Sequence, residues 1–172
     1  MAIRPILTAP DPRLKAVSKA VDSVDATTRR LIDDMVESLY EADGIGLAAV
    51  QIGVPERIIV MDLDQREGKK NPRVFINPVI RWASEEKAKF EEGCLSVPEI
   101  WEEVERSARI KAEYLDREGK KQLLEADGLL ATCLQHEMDH LEGVLFIDHL
   151  SRLKRSIALR KLQKAKRLKA AG

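Results

Sequence analysis

The sequence has 172 residues, and its 29 lysines and arginines balance 29 aspartates and glutamates, giving a formal net charge of zero. Hydrophobic residues make up 44% and charged residues 34%, which is typical of a soluble globular chain of one domain, with or without an appendage, and argues against disorder. No apolar run approaches the roughly 20 residues of a membrane span, and two cysteines cannot form a disulfide scaffold, so we expect a cytoplasmic protein without membrane contact.

The first predicted helix covers residues 25–42. Apolar residues recur there at 3.6-residue spacing, and Asp25 is a suitable N-terminal cap. The helix ends before a glycine-rich stretch, residues 44–53, with three glycines in ten residues. Such a stretch predicts a backbone that bends or lies close to another group.

Six strand-like segments follow without an intervening helix, which favours antiparallel pairing. They cover residues 57–63, 74–77, 79–82, 87–91, 104–115 and 121–124. A second helix is predicted for residues 127–142, before Gly143, and a third for residues 151–171. The predicted fold class is α+β, with antiparallel or mixed β-sheets packed around a central metal-binding helix and with a C-terminal helix.

The zero net charge hides an uneven distribution. From Ser151 onward there are nine basic residues and no acidic one, which leaves 20 basic against 29 acidic residues in positions 1–150. We therefore predict a catalytic domain over 1–150 and a basic C-terminal helical extension over 151–172. The extension either binds a polyanion or is an ordinary solvated helix with Leu150, Leu153 and Ile157 packed on the domain.

The strongest functional signal is the segment His136-Glu137-Met138-Asp139-His140. Residues four apart share one face of a helix, so both imidazoles can reach one metal ion with Glu137 beside it. A divalent metal lowers the pKa of its bound water to about 7, and an adjacent carboxylate can take the proton. The segment therefore predicts a metal hydrolase.

The third metal ligand of the common peptidases of this type is absent downstream. Phe146 occupies the position at which the metzincin peptidases have histidine. The thermolysin-like peptidases use a glutamate well downstream of the second histidine, and no glutamate follows Glu142. Asp148 and His149 lie past the helix end; both are alternative ligands, although the favoured interpretation is that they are surface residues.

Cys94 is the candidate upstream, because a thiolate binds first-row metals strongly and Gly93 marks a strand end before it. Its alternative interpretation is a small buried core residue. Cys133 is an alternative ligand on the same helix face, but it lies a turn beyond His136, so we interpret it as pocket wall.

Three segments together resemble the bacterial type of peptide deformylase: residues 44–51 (GIGLAAVQ), 92–96 (EGCLS) and 135–140 (QHEMDH). The likeness extends over residues 3–150 in element order. It implies an enzyme of the bacterial cytoplasm that removes the N-formyl group from the formylmethionine of newly made polypeptides and releases formate. It also implies one divalent metal ion on Cys94, His136 and His140, with Fe²⁺ expected and Zn²⁺, Ni²⁺ or Co²⁺ as alternatives.

The resemblance assigns catalytic roles to three further residues. Glu137 is expected to take the proton from the attacking water and pass it to the departing amine. The side-chain amide of Gln51 and the backbone N–H of Leu95 are expected to stabilise the oxyanion. Without the resemblance, Gln51 is as consistent with a turn residue as with a catalytic role. Leu95 is likewise as consistent with a core residue.

For substrate binding, the resemblance implies backbone contacts from Ile45, Gly46 and Gly93 to a peptide added as a strand. Four side chains are expected to line the slot for the methionine side chain: Ile45, Leu129, Cys133 and the ring of His136.

Two residues depart from the family's common pattern at the rim of that slot. Some members carry arginine where this chain has Trp101, and glycine often stands where it has Glu99. These differences leave the chemistry alone and concern the contacts and side-chain preference of the rim.

The expected partners are formylmethionyl peptides and nascent chains, with docking to the ribosome through the basic helix, and the expected oligomeric state is a monomer. Two other functions remain open at this point. One is a general HExxH peptidase; the other is a metal-stabilised, non-catalytic module whose basic tail binds nucleic acid or the ribosome.

Overall fold

The computed structural model describes residues 2–171 and, for Arg66, the backbone alone. The helices are α1 (Ala26–Glu41), α2 (Gly128–Leu141) and α3 (Arg152–Ala171). The strands are β1 (Gly46–Ala48), β2 (Ile58–Met61), β3 (Arg73–Ala83), β4 (Lys87–Cys94), β5 (Val97–Ser107), β6 (Arg109–Leu115) and β7 (Lys121–Asp127). Short 3-10 helices cover Pro12–Lys15, Ala49–Ile52, Gln65–Glu67 and Phe146–His149.

The strands form two sheets. A five-stranded sheet has the order β1-β2-β3-β6-β7, and β4 pairs with β5 in a two-stranded sheet. Each of these pairings is antiparallel, which confirms the predicted α+β class.

The first predicted helix is present almost as expected. The Asp25 carboxylate accepts a hydrogen bond from the backbone N–H of Thr28 at 2.9 Å and so caps α1. Leu31, Ile32 and Met35 are buried along one face. The 3.6-residue spacing of apolar residues therefore identified both the helix and its packed face.

Several strand boundaries differ from the sequence prediction, and the first large difference concerns β3. Segments 74–77 and 79–82 belong to one strand, β3, whose register with β6 shifts between Ile76 and Val79. Asn77 adopts a positive φ of 50° at the shift, and its side chain holds both the N–H and the C=O of Val21. An irregular residue inside a continuous strand looks like a break in the sequence.

The predicted strand 104–115 is wrong, because it is divided between β5 and β6. The chain turns at Ala108, whose N–H donates to the carbonyl of Glu86 at 2.9 Å. The Ser84 hydroxyl accepts from the N–H of Arg109 at 3.0 Å and fixes the same turn. These bonds come from residues distant in sequence, so no local pattern indicated the turn.

Helix α2 lies where the two sheets meet. It contacts β1, β6 and β7 of the larger sheet and β5 of the smaller one. Ala131, Leu134 and Leu141 have no exposed surface. A residue on α2 is therefore brought close to both the glycine-rich stretch at β1 and the turn after β4.

Helix α3 packs through a different set of residues from the one predicted. Ala158 and Leu162 are buried against a cluster that includes Phe146, and Leu150 is partly buried there. Leu153 and Ile157 are 70% and 42% exposed, so the prediction that they pack on the domain is wrong. Across residues 2–171, no helix combines the length and apolar character needed to cross a bilayer.

Candidate metal centre

Two elements that are distant in sequence bring three metal-binding side chains together. His136 and His140 lie one turn apart on α2, and Cys94 ends β4. One ligand atom from each lies within 4.8 Å of the other two. Cys94 Sγ is 3.4 Å from His140 Nε2. The predicted upstream ligand is thus adjacent to both histidines.

These residues fit a bound first-row metal ion. One thiolate and two imidazoles are suitable donors for zinc or iron, and a set of three leaves a position open for water or substrate. His136 shares a 2.8 Å hydrogen bond through Nδ1 with Glu92 Oε1, which leaves Nε2 for a ligand. His140 is fully buried, and its Nδ1 has no hydrogen-bond partner among residues 2–171.

The surroundings shift the pKa values of the two histidines in opposite directions. Burial disfavours the charged form of His136, but hydrogen bonds to Cys94 and Glu92 raise its pKa above the ordinary value. Burial, followed by the charges of His136 and Arg106, lowers the pKa of His140. Metal binding requires the neutral imidazole at both positions, so a bound metal ion would displace the proton that these hydrogen bonds favour on His136.

Glu137 is a buried carboxylate beside this cluster. Its Oε1 lies 3.9 Å from His136 Nε2, and its Oε2 has no hydrogen-bond partner within the described chain. Burial raises its pKa to about 7. A Cβ atom on Gly46 would lie 2.7 Å from Glu137 Oε1, so the glycine allows β1 to pass the carboxylate at close range.

A buried ion-pair network supports the cluster from behind. Arg106 donates through Nε and Nη2 to the two Glu92 oxygens at 2.7 and 3.0 Å, and through Nη1 to Asp139 Oδ2 at 2.8 Å. Although burial opposes it, hydrogen bonds from His136 and Arg106 lower the pKa of Glu92. The charged Glu92 thereby fixes the orientation of His136.

Sequence reasoning missed this network. A signal for Glu92 was available, because residues two apart on a strand share a face and Glu92 precedes Cys94 by two. Arg106 gave no such signal, since it lies on β5 and reaches the site only through the β4–β5 pairing. Phe146, which was excluded as a ligand, stacks on His136 with ring centroids 5.9 Å apart.

Gln51 lies at the cluster on the 3-10 helix after β1. Its Oε1 accepts from the Ala48 N–H at 2.8 Å, which directs Nε2 towards Ser96 Oγ at 2.9 Å and Cys94 Sγ at 3.6 Å. The residue is 1% exposed. The hydrogen bond to Ala48 therefore holds the amide in one orientation facing the candidate metal ligands.

Leu95 occupies the turn between β4 and β5, next to Cys94. Its side chain is partly buried against apolar residues that include Leu39 of α1, and its Cδ1 would lie 2.6 Å from a Cβ on Gly44. The core contact of the side chain is thus compatible with a role for the backbone.

The cluster opens into a cavity of about 440 Å³. The five predicted substrate-binding residues all line it: Ile45, Gly46, Gly93, Leu129 and Cys133. Cys133 is buried and Leu129 is 39% exposed, so they form an inner and an outer part of the wall.

The residues set aside after α2 have structural contacts. Asp148 accepts hydrogen bonds from Lys15 and Arg155, each at 3.0 Å. His149 lies 2.7 Å from Asp139 Oδ2 and its side chain is 40% exposed. Neither residue joins the Cys94–His136–His140 cluster.

Comparison with known proteins gives one consistent result. Residues 3–156 match the family model described as polypeptide deformylase. A peptide deformylase from Phenylobacterium zucineum is 60% identical over 164 residues, which cover 95% of this chain and 97% of the relative. One from Rhizobium meliloti is 56% identical over 171 residues, covering 99% and 98%.

Solved structures agree with these relatives. A peptide deformylase from Legionella pneumophila superposes with a TM-score of 0.92 at 47% identity and covers 99% of both chains. One from Ehrlichia chaffeensis, in complex with actinonin, gives 0.91 at 45% identity over 97% of this chain and 99% of that one.

Proposed function

This chain belongs to the polypeptide deformylase family, and from that membership we propose a role for each residue of the cluster in the family's reaction. The protein is a metal-dependent amide hydrolase that removes the N-formyl group from formylmethionine at the start of newly made polypeptides and releases formate. The observation that carries the assignment of roles is the buried carboxylate of Glu137 beside the Cys94–His136–His140 cluster.

We assign the metal to Cys94, His136 and His140. When bound, a divalent ion supplies Lewis-acid polarisation of the formyl oxygen and activates water at neutral pH. The three side chains hold it, and Glu92, supported by Arg106, keeps the His136 ring oriented. We propose Fe²⁺ as the physiological ion, with Zn²⁺, Ni²⁺ and Co²⁺ as alternatives, because a mixed sulfur and nitrogen donor set suits all four.

Glu137 acts as general base and then as general acid. Its unpartnered Oε2 accepts a proton from the attacking water as the new C–O bond forms at the formyl carbon. The same proton passes to the amide nitrogen as the C–N bond breaks, which releases formate and a free amine. Burial raises the pKa of this carboxyl, which favours the protonated form that donates to the departing amine.

Two hydrogen-bond donors stabilise the oxyanion of the tetrahedral intermediate in this proposal. They are the Gln51 amide, held by Ala48, and the Leu95 backbone N–H. Removing one such donor from an enzyme typically reduces kcat by about 10²- to 10³-fold.

The substrate lies in the cavity as an added strand. Its backbone pairs with Ile45, Gly46 and Gly93, and its methionine side chain enters the slot formed by Leu129 and Cys133. Strand β1 is suited to this, because it lies at the edge of its sheet with β2 on one side only.

The proposal extends to the environment of the enzyme. We propose a monomer of the bacterial cytoplasm, with a catalytic domain over residues 1–150 and an extension over 151–172. The extension carries nine basic residues, and we propose that it docks the enzyme on ribosomal RNA. Such binding should weaken steeply as salt concentration rises.

The ligand assignment is tested by metal analysis of Cys94→Ala and its matched control, Cys133→Ala, after anaerobic purification. We expect Cys94→Ala to lose both bound metal and formate release from formyl-Met peptides, and Cys133→Ala to keep its metal. Full metal content in Cys94→Ala would overturn the assignment. Formate release by Cys94→Ala at the wild-type rate would overturn the proposed mechanism as well.

A further inference from the structure

The ion-pair network behind His136 continues to the surface of the protein. Arg106 Nη1 donates to Asp139 Oδ2 at 2.8 Å, and His149 Nε2 lies 2.7 Å from the same oxygen. Because an ionised carboxylate only accepts hydrogen bonds, His149 is the donor in this contact. A continuous series of hydrogen bonds therefore leads from the surface to a metal ligand. Its members, in order, are His149, Asp139, Arg106, Glu92 and His136.

The exposure of the side chains falls along this series. His149 and Asp139 are 40% and 27% exposed, whereas Arg106 and Glu92 are 6% and 5% exposed. Hydrogen bonds to charged groups are stronger where water is excluded, so the inner contacts of the series are the more rigid ones. Asp139 is consequently the member at which water can compete for Arg106.

Arg106 is shared between two carboxylates, and its orientation depends on both. It binds Glu92 through two nitrogens and Asp139 through the third. A half-buried carboxylate with one donor can turn towards water, whereas a second protein donor on the same oxygen opposes that rotation. By holding Asp139 in place, His149 keeps the guanidinium fixed from its outer side.

His149 itself belongs to a firmly packed segment. It ends the short 3-10 helix Phe146–His149, which follows α2. Phe146 and Ile147 are each 1% exposed, and the Phe146 ring stacks on His136. The same short helix therefore contacts a metal-binding histidine directly at its first residue and through the hydrogen-bond series at its last.

We propose that His149 is a positioning residue for the metal centre. By fixing Asp139, it keeps Arg106 and Glu92 in the arrangement that orients the His136 ring. The inference rests on the proposed metal assignment and adds to it a residue outside the cluster and outside the cavity lining. His149 accordingly takes no part in the chemistry, and its contribution is to slow the loss of the metal.

The test measures the rate at which zinc-loaded protein loses its metal to a chelator. We expect His149→Ala to lose zinc about threefold faster than the wild type, a smaller effect than the 10- to 100-fold changes typical of residues that contact a ligand directly. His149→Gln should lose zinc at nearly the wild-type rate, because its amide can donate from a similar position. Asp148→Asn is the matched control on the same short helix. It weakens the ion pairs with Lys15 and Arg155, does not alter the contact to Asp139, and should lose zinc at the wild-type rate.

A double-mutant cycle tests whether His149 acts through the hydrogen-bond series. Glu92→Gln should accelerate zinc loss by about tenfold, and adding His149→Ala to it should have little further effect, because the series is already interrupted. An undiminished effect of His149→Ala in the Glu92→Gln background would overturn the inference. Equal rates for the wild type and His149→Ala would overturn it too, as would zinc loss from His149→Gln as fast as from His149→Ala.

These outcomes are distinct from a failure of the proposed metal site. Each of them leaves the assignment of Cys94, His136 and His140 standing, provided that the wild type retains one zinc ion. A wild type that binds no zinc would overturn that assignment and this inference together.

Discussion

Helices α2 and α3 differ in how many of their residues the rest of the protein buries. Of the 14 residues in α2, eight are buried, and these include His136, Glu137 and His140. Of the 20 residues in α3, two are buried, Ala158 and Leu162. The chemistry of α2 is thus determined by contacts inside the fold, whereas that of α3 depends on what it meets outside.

The two helices also differ in the ion pairs that their charged residues form. Asp139 of α2 is held by Arg106, which also holds Glu92 behind His136. On α3, ion pairs to the rest of the described chain are made by Lys154 and Arg155 alone of its nine basic residues. Substitutions near α2 should therefore change stability or catalysis strongly, and those on the exposed face of α3 should change neither.

The largest effect on stability is expected for Arg106→Leu. This change leaves Glu92 buried without its cation, and breaking a buried pair in this way costs about 3–5 kcal/mol. The free energy of unfolding from urea denaturation measures it. Arg81→Leu is the matched control, because its ion pair with Glu113 is exposed and should contribute less than about 1 kcal/mol. Equal decreases in the free energy of unfolding would show that the buried ion pair of Arg106 is no more important for stability than the exposed one of Arg81.

Gly46→Ala should reduce kcat about 100-fold, equivalent to about 2.7 kcal/mol, because the new Cβ would displace the Glu137 carboxylate. Metal content should be unchanged, since the atoms nearest to the new Cβ belong to Glu137, which is not one of the three ligands. Initial rates of formate release measure the effect. Gly68→Ala is the control: its Cβ would meet open space, and although alanine is strained at the positive φ of 74°, the strain lies outside the cavity and kcat should be retained. Normal kcat in Gly46→Ala would show that β1 does not constrain Glu137.

On α3, Leu162→Ala should reduce the free energy of unfolding by about 2 kcal/mol, because it removes one of the two buried contacts of this helix. Leu168→Ala is the matched control on the same helix, 66% exposed, and should change stability by less than about 0.5 kcal/mol. Circular dichroism during urea denaturation compares them. Equal stability of the two variants would mean that α3 does not depend on packing against the domain.

The smallest effect is expected for Asp148→Asn, in the segment that leads into α3. Burial opposes ionisation, but the Leu145 N–H, Lys15 and Arg155 lower the pKa of Asp148 below its usual value. Its contribution, below about 1 kcal/mol, is present above the unfolded pKa of about 3.9 and is lost as pH falls through the lower folded pKa.

Urea denaturation at several pH values measures that contribution. The difference in stability between the wild type and Asp148→Asn should therefore be present at pH 7 and vanish in acid. Asp22→Asn, at an exposed residue without a charged partner in the described chain, is the control for the substitution itself and should change the free energy of unfolding by less than about 0.5 kcal/mol at pH 7. A difference that grows as pH falls would contradict the sign of the pKa shift.

The sequence predicted those parts of the molecule whose signals are local. The spacing of His136 and His140 placed both on one face of α2, and the cap at Asp25 located the start of α1. Thiolate chemistry made Cys94 a candidate third ligand and the family resemblance selected it; the residue lies at the end of β4 beside both histidines.

What could not be predicted depends on contacts between distant segments. The turn between β5 and β6 is fixed by Ser84, 25 residues from Arg109. Arg106 binds Asp139 across 33 residues. On α3, the periodic pattern offered several apolar residues, and only packing against the domain selects Leu162 over Leu153.

The most direct test of the central claim is formate release by metal-loaded Glu137→Gln. The amide keeps the shape of the side chain but cannot accept the proton. We expect the metal content to equal that of the wild type and kcat to fall by about 10²- to 10⁴-fold. A variant with full metal content and wild-type kcat would show that Glu137 is not the base and would contradict the proposed mechanism.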